Sequence, residues 1–177
     1  STSNRCCLGG MVGNNSCGSH SLVYGSTRKH LLEATVILSD GSEVLLKPLT
    51  RNEVDAKCNL KTLEGDIYKT IISILSDEQN RKEIIKNYPD LTLTRRNTGY
   101  ALDELLYTSY FNNEIEEDFN LCKLLAGSEG TLAIIKDLKL NLEPLPPKHK
   151  AVIAMHCHSL EESFLANLVA LEYNPVA

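Results

Sequence analysis

Residues 31–49, "LLEATVILSDGSEVLLKPL", carry the reading that decides the fold class. Apolar and polar side chains alternate on both sides of Asp40-Gly41, a pair suited to the positive backbone angles of a tight hairpin turn. The pattern predicts two antiparallel strands, residues 34–38 and 43–46. Downstream, Leu60, Leu63, Ile67, Ile71 and Ile74 recur at steps of three and four, which sets them on one face of a helix over residues 59–76. The more charged "DEQNRKEIIKNY" predicts a second helix that stops before Pro89, where the ring removes a backbone donor and forbids a further turn.

The remainder of the chain returns to strands. "RRNTGYALDELL" places a glycine turn before a short helix from about Ala101, and the acidic "NNEIEEDF" reads as a solvated loop. "LCKLLAGSEGTLAIIKDLKLNLEPLPP" gives an apolar segment, a Gly-Ser-Glu-Gly turn and two strands, residues 132–135 and 138–142. Pro144, Pro146 and Pro147 then end the sheet and mark a domain boundary. Beyond it, "KAVIAMHCH" reads as a strand and "SLEESFLANLVALE" as a helix capped by Ser159, with Glu162 in the reciprocal position. One strand and one helix bury no core of their own, so they are expected to open a second domain. The class is α+β, a mostly antiparallel sheet with flanking helices.

At 177 residues the chain has room for one substantial domain, or one domain and part of another. A net charge of −5 with scattered lysines and arginines offers no basic stripe for nucleic acid and no polybasic tract for anionic lipid. No apolar run reaches the length of a membrane span and the N-terminus lacks a secretory layout, so the chain reads as intracellular and a cytoplasmic location is expected. The six cysteines are irregularly spaced and form no CxxC pair, which favours reduced thiols over a disulfide framework and leaves zinc and iron–sulfur ligation within these residues unsupported. His156 and His158 would face the same way on a strand, yet two ligands make no metal site.

Residues 8–28, "LGGMVGNNSCGSHSLVYGSTR", are crowded with glycine, asparagine and serine. Such a run lets backbone N–H groups converge on an anion, and a diphosphate is the natural guest. The letters reject three familiar versions of the idea. The glycines at 9, 10, 13 and 18 do not keep the GxGxxG spacing, no Gly-Lys-Ser/Thr follows, and Asn14 occupies a position where a nucleophile elbow centred on Ser16 needs glycine. A turning surface loop is the plainer alternative.

Three blocks, "GGMVGNNSCGSHSLVYGSTRKHLLEATVILSDGSEV", "RRNTGYALDELL" and "LLAGSEGTLAIIKDLKLNLEPLPP", together resemble the FAD-binding domain of the p-cresol methylhydroxylase/vanillyl-alcohol oxidase superfamily, in its branch of D-lactate, glycolate and D-2-hydroxyglutarate dehydrogenases. The resemblance implies the second subdomain of a two-subdomain fold that clasps FAD. Residues 1–147 would be FAD-binding domain lacking its first subdomain, and residues 148–177 the start of a substrate domain. It implies FAD contacts from Gly9, Gly10, Gly13, Asn14, Asn15, Ser16, Cys17 and Gly18, and from Ser21, Tyr24 and Gly25 where the segment continues. A second set follows from the "GSEGT" block, Gly127, Ser128, Glu129, Gly130 and Thr131, with Ile134 and Ile135 on the adjoining strand. Ala133 departs from the glycine frequent in relatives, and Glu129 can equally serve as a turn residue.

Asn97 and Tyr100 match a block near the flavin, where Tyr100 is expected to pack rather than to catalyse, and Arg95 and Arg96 are either partners for the phosphates or the substrate carboxylate or an exposed pair. Tethering of flavin through Cys6 or Cys7 occurs in parts of the superfamily but mostly not in this branch, so non-covalent FAD is expected. The implied reaction dehydrogenates a D-2-hydroxy acid by hydride transfer to flavin N5, with electrons passed to a carrier or quinone and an iron–sulfur segment outside this sequence. No catalytic base is assigned. A non-catalytic ligand-binding or assembly module and another flavin oxidase of the superfamily stand as alternatives. With half the clasp missing, the 177 residues alone are expected to bind FAD weakly.

Overall fold

Strand β1, Leu31–Ile37, lies at the centre of a three-stranded antiparallel sheet, with β2, Glu43–Leu46, on one side and β3, Ile134–Leu140, on the other. The structure is a computed structural model and describes residues 4–90, 92–93, 96, 99–145, 148–149 and 151–175. The hairpin forms where the sequence places it, with Val36 paired to Val44 and Ala34 to Leu46. Asp40 fixes the turn by accepting from the N–H and the hydroxyl of Ser42 through Oδ1, at 2.9 and 2.6 Å. Alternation puts Leu31, Ala34 and Val36 on the buried face, where they meet Val44 and Leu46.

The two expected C-terminal strands are one strand. Ile135 pairs with Val36 and Asp137 with Thr35, so Lys136 is an extra residue, a bulge that carries β3 past its charged middle without breaking the ladder. Lys136 reaches across to Glu43 at 2.8 Å, which explains how a polar interruption sits in a continuous strand. The strand expected over "KAVIAMHCH" does not form: residues 151–157 are irregular and belong to no sheet among the described residues, and an extended segment needs a paired edge to become a strand. His156 and His158 therefore lose the strand geometry that would have aligned them.

The helices follow their punctuation. Thr50 and Glu53 form a capping box that starts α4, Arg51–Cys58, a helix the apolar pattern did not reveal because it buries only Val54. That helix occupies part of the region before α5, Leu63–Ser76, which starts at Thr62 rather than at residue 59. Gly65 is obligatory here, since a Cβ would lie 2.2 Å from the Leu60 carbonyl oxygen. Asp77 caps α6, Glu78–Asn87, through Oδ1 and the Asn80 N–H at 2.9 Å. Short helices α7, Leu102–Leu106, and α8, Cys122–Leu125, follow, and α9, Leu160–Leu171, begins at Ser159, whose hydroxyl accepts from the Glu162 N–H. The Glu162 carboxylate accepts from the His158 N–H.

The core gathers one sheet face, α5 and α8 around Phe119, which is fully enclosed. Tyr68, Tyr110 and Phe111 surround it with ring centroids 5.9–6.5 Å away. Phe119 also pairs with Leu49 as an isolated antiparallel bridge, so the acidic loop "NNEIEEDF" is solvated only up to its last residue. No helix among the described residues is long and apolar enough to cross a membrane.

Candidate functional site

The glycine-rich segment is folded rather than looped. It contains α1, Leu8–Gly13, α2, Ser21–Tyr24, and α3, Thr27–His30, three short helical turns that local composition disguises as flexible chain. Its backbone donors are largely used internally: Asn14 donates to Gly10, Asn15 to Val12, Ser16 to Met11, and Gly18 to the Ser21 hydroxyl. Convergence of these N–H groups on one anion is therefore not how the segment is built. Nor do Gly9, Gly10, Gly13 and Gly18 use positive φ; that conformation falls on Asn15 and Gly25 instead.

Two blocks more than a hundred residues apart meet at this segment. The Gly127 N–H donates to the Val12 carbonyl at 3.0 Å and the Glu129 N–H to that of Gly13 at 2.9 Å. Residues 127–130 form the expected turn, with positive φ at Gly127, Glu129 and Gly130. A Cβ on Gly13 would come within 3.8 Å of the Glu129 backbone, which is ordinary contact, so the two chains lie side by side. Tyr100 joins them: its hydroxyl is 2.5 Å from Thr131 Oγ1, which in turn donates to the Ser128 carbonyl. Arg95 and Asn97 lie outside the described residues.

The residue that sequence reasoning passed over is Arg28. It is 2% exposed, its N–H donates to Asn15 Oδ1 at 2.8 Å, and its guanidinium donates to three carbonyls, Lys123 at 2.9 Å, Gly99 at 2.7 Å and Ala126 at 2.6 Å. Two of those carbonyls close the end of α8, where a cation satisfies acceptors that the helix leaves unpaired. Burial pulls the guanidinium below its ordinary range while the Glu104 charge opposes the shift, and arginine remains a cation throughout. An arginine preceding a strand looks like any surface cation in a sequence; nothing in the letters marks it as buried.

Around this junction the candidate residues differ in what they offer. Asn15 and Ser128 are 3% exposed, and Asn15 Nδ2 and Ser128 Oγ find no partner among the described residues. Because the Asn15 oxygen is committed to Arg28, its amide orientation is fixed and Nδ2 is the donor left over. Asn14 is exposed and donates to the Ser16 hydroxyl at 3.1 Å; Ser21 is engaged with Gly18. Glu129, Gly130, Thr131 and Ile134 are exposed, Cys17, Tyr24, Gly25 and Ile135 half-buried. Beside Arg28 a polar cavity of about 440 Å³ is lined by Ser26, Lys29, Arg96, Glu104, Glu117 and Lys123. There Lys123 pairs with Glu117 at 2.6 Å and Arg96 with Asp103 and Glu104.

These residues fit the dinucleotide that the resemblance implies. Two buried donors without acceptors destabilise the protein until something supplies acceptors, and diphosphate, ribityl and carbonyl oxygens are acceptors. Cys122 contributes no chemistry of this kind, since burial pushes its thiol up to about 12. Cys6 and Cys7 lie exposed at the start of α1. Among the described residues no group of three or more His, Cys, Asp or Glu is placed to hold a metal ion.

Residues 1–47 match the family described as FAD binding domain. Curated relatives include the D-2-hydroxyglutarate dehydrogenase of Escherichia coli (strain K12), 38% identical over 152 residues, 86% of this chain and 14% of the relative. The protein of the same description from Haemophilus influenzae is 37% identical over 164 residues, 91% of this chain and 15% of the relative. That of Pantoea ananatis is 34% identical over 152 residues, again 86% and 14% of the two chains. The chain thus spans about a seventh of the length of these relatives. No solved structure matches.

Proposed function

We propose that this chain, similar in sequence to the D-2-hydroxyglutarate dehydrogenases and carrying FAD-binding-domain sequence at its N-terminus, is one wall of the FAD site in a dehydrogenase of D-2-hydroxy acids. The observation that carries the reading is the meeting of the 9–25 and 127–131 segments, with Asn15 Nδ2 and Ser128 Oγ buried and unpartnered at the seam. Two such donors, one in each of two segments that touch, suit a ligand rich in acceptor oxygens.

Residues Gly9, Gly10, Gly13, Asn14, Asn15, Ser16, Cys17 and Gly18 border the cofactor on one side of the seam, with Ser21, Tyr24 and Gly25 behind them; Gly127 to Thr131, Ile134 and Ile135 border it on the other. Asn15 and Ser128 donate hydrogen bonds to cofactor oxygens, and Arg28 holds the Asn15 amide in the orientation that makes this possible. The Thr131 hydroxyl, held between Tyr100 and Ser128, presents a fixed edge rather than a rotating one. When bound, FAD supplies the hydride acceptor for oxidation of the carbinol carbon. The chain's own part is to orient it and to exclude water from the seam. Residues 1–147 form this wall and residues 148–177 lead into a substrate domain. Electrons then pass to a carrier or quinone in the cytoplasm or at the inner membrane surface, and an iron–sulfur segment elsewhere in the polypeptide is the route that iron analysis would detect.

The test is the visible spectrum of the protein at its natural length, recorded without oxygen before and after addition of D-2-hydroxyglutarate or D-lactate. A flavin spectrum that bleaches supports both cofactor and reaction class. A colourless protein that takes up no added FAD overturns the reading.

A further inference from the structure

We propose that Arg28 is the positioning residue of this site, a buried strut that sets the two cofactor-facing segments at their working distance, an inference that rests on the FAD reading above. Its guanidinium is engaged with carbonyls of the chain itself, and its contacts are distributed in a telling way. The backbone N–H holds Asn15, inside the first segment. The guanidinium holds Ala126, the residue before Gly127 and the second segment, and Gly99, the residue before Tyr100, whose hydroxyl supports Thr131. A third donor holds Lys123 in α8.

The planar group therefore ties together stretches of chain that lie 71 to 98 residues from it along the sequence, while the backbone N–H of the same residue holds Asn15, 13 residues away. The fork geometry of a guanidinium serves carbonyls at several fixed directions at once, which a lysine ammonium on a flexible stem does not. Buried, charge-assisted hydrogen bonds are also the strong ones, so the separation of the segments follows the arginine rather than the reverse. Thr27 adds a smaller tie of the same kind: its hydroxyl donates to the Ser16 carbonyl at 2.7 Å, pinning the first segment to the turn that carries Arg28.

The experiment compares Arg28→Lys and Arg28→Gln with Leu75→Ala, a fully buried change on α5, which contributes no residue to either segment, in the protein at its natural length. FAD affinity of the folded apoprotein is read by fluorescence quenching, the arrangement of bound flavin by visible circular dichroism, and stability by thermal unfolding without FAD. The expected result is FAD affinity weakened by roughly tenfold or more in both Arg28 variants with an altered flavin dichroism, the lysine no better than the glutamine, while Leu75→Ala lowers the melting temperature and leaves affinity within about twofold. Unchanged affinity in folded Arg28 variants, or an equal loss in Leu75→Ala, overturns the proposal and leaves the FAD reading standing. Wild-type protein with no affinity for FAD removes the FAD reading itself. Should the Arg28 variants fail to fold, Thr27→Val takes their place, with a loss of about threefold expected and no loss overturning the strut.

Discussion

Replacing Gly25 by alanine tests how tightly the N-terminal segment is held. Gly25 has φ 82° and ψ −174°, a region that side-chain-bearing residues scarcely enter and that costs of order 1–3 kcal/mol when they are forced into it. Relaxation is blocked on both sides. The Gly25 N–H donates to the Ser21 carbonyl at 2.9 Å, and His30 Nε2 lies 2.6 Å from the Tyr24 carbonyl oxygen. A new Cβ would also meet Lys29 Cδ at 2.9 Å, but Lys29 is exposed and can swing aside, so that contact adds only a few tenths of a kcal/mol. Gly25→Ala should therefore cost about 2 kcal/mol, or about 4–8 °C in melting temperature for a chain of this size. Urea unfolding gives the value as the shift in midpoint multiplied by the slope. The double change Gly25→Ala with Lys29→Ala should recover only the small steric part. Asparagine, which tolerates the ordinary left-handed region but not this one, should be no better than alanine. A cost below about 0.5 kcal/mol, or rescue by asparagine, would refute the reasoning.

Phe119→Ala empties the centre of the aromatic cluster and should destabilise by about 3–5 kcal/mol, measured by the same unfolding assay; a surface-like change within about 0.5 kcal/mol would remove Phe119 from the core. Cys122, whose thiol burial pushes up to about 12, should resist a disulfide exchange reagent at mildly alkaline pH in the folded protein and react after unfolding, while exposed Cys6 and Cys7 react at once. Reaction of Cys122 in the native state, seen by peptide mass, would contradict its burial. The Thr50 hydroxyl and N–H hold the Glu53 carboxyl below its ordinary range, so its contribution is present at neutral pH and is lost as pH falls through the lowered folded value. Glu53→Gln should accordingly reduce stability near neutrality and flatten the acid limb of the stability profile; an unaltered limb would sink that assignment.

The sequence revealed the elements whose signals are local. Asp40-Gly41 announces the hairpin, the charged run from Asp77 gives the second helix, and the apolar spacing of Ile67, Ile71 and their neighbours is helical wherever it is placed, although the start of that helix at Thr62 is not legible from it. What stayed hidden depends on distant partners. Residues 8–30 look like loop because glycine and serine weaken helix locally, yet residues 127 and 129 supply donors that hold α1 in place. The sequence pattern divides β3 in two because the charged Lys136 and Asp137 interrupt its apolar residues, and only the pairing with β1 turns Lys136 into a bulge. Phe119 is masked by the acids before it, and residues 151–157 are in no sheet among the described residues, which their letters alone do not reveal. At the site, the three resembling blocks are visible as letters, whereas their meeting point is not, since it is made by backbone hydrogen bonds from Gly127 and Glu129 to Val12 and Gly13 and by carbonyls that accept from Arg28.

Hydrogen–deuterium exchange with and without FAD, on the protein at its natural length, addresses the central claim most directly. The account predicts FAD-dependent slowing concentrated in peptides covering residues 9–18 and 127–131, with the sheet and α5 little changed. Bound FAD that protects neither segment, or protects only one, would contradict a cofactor held at their seam.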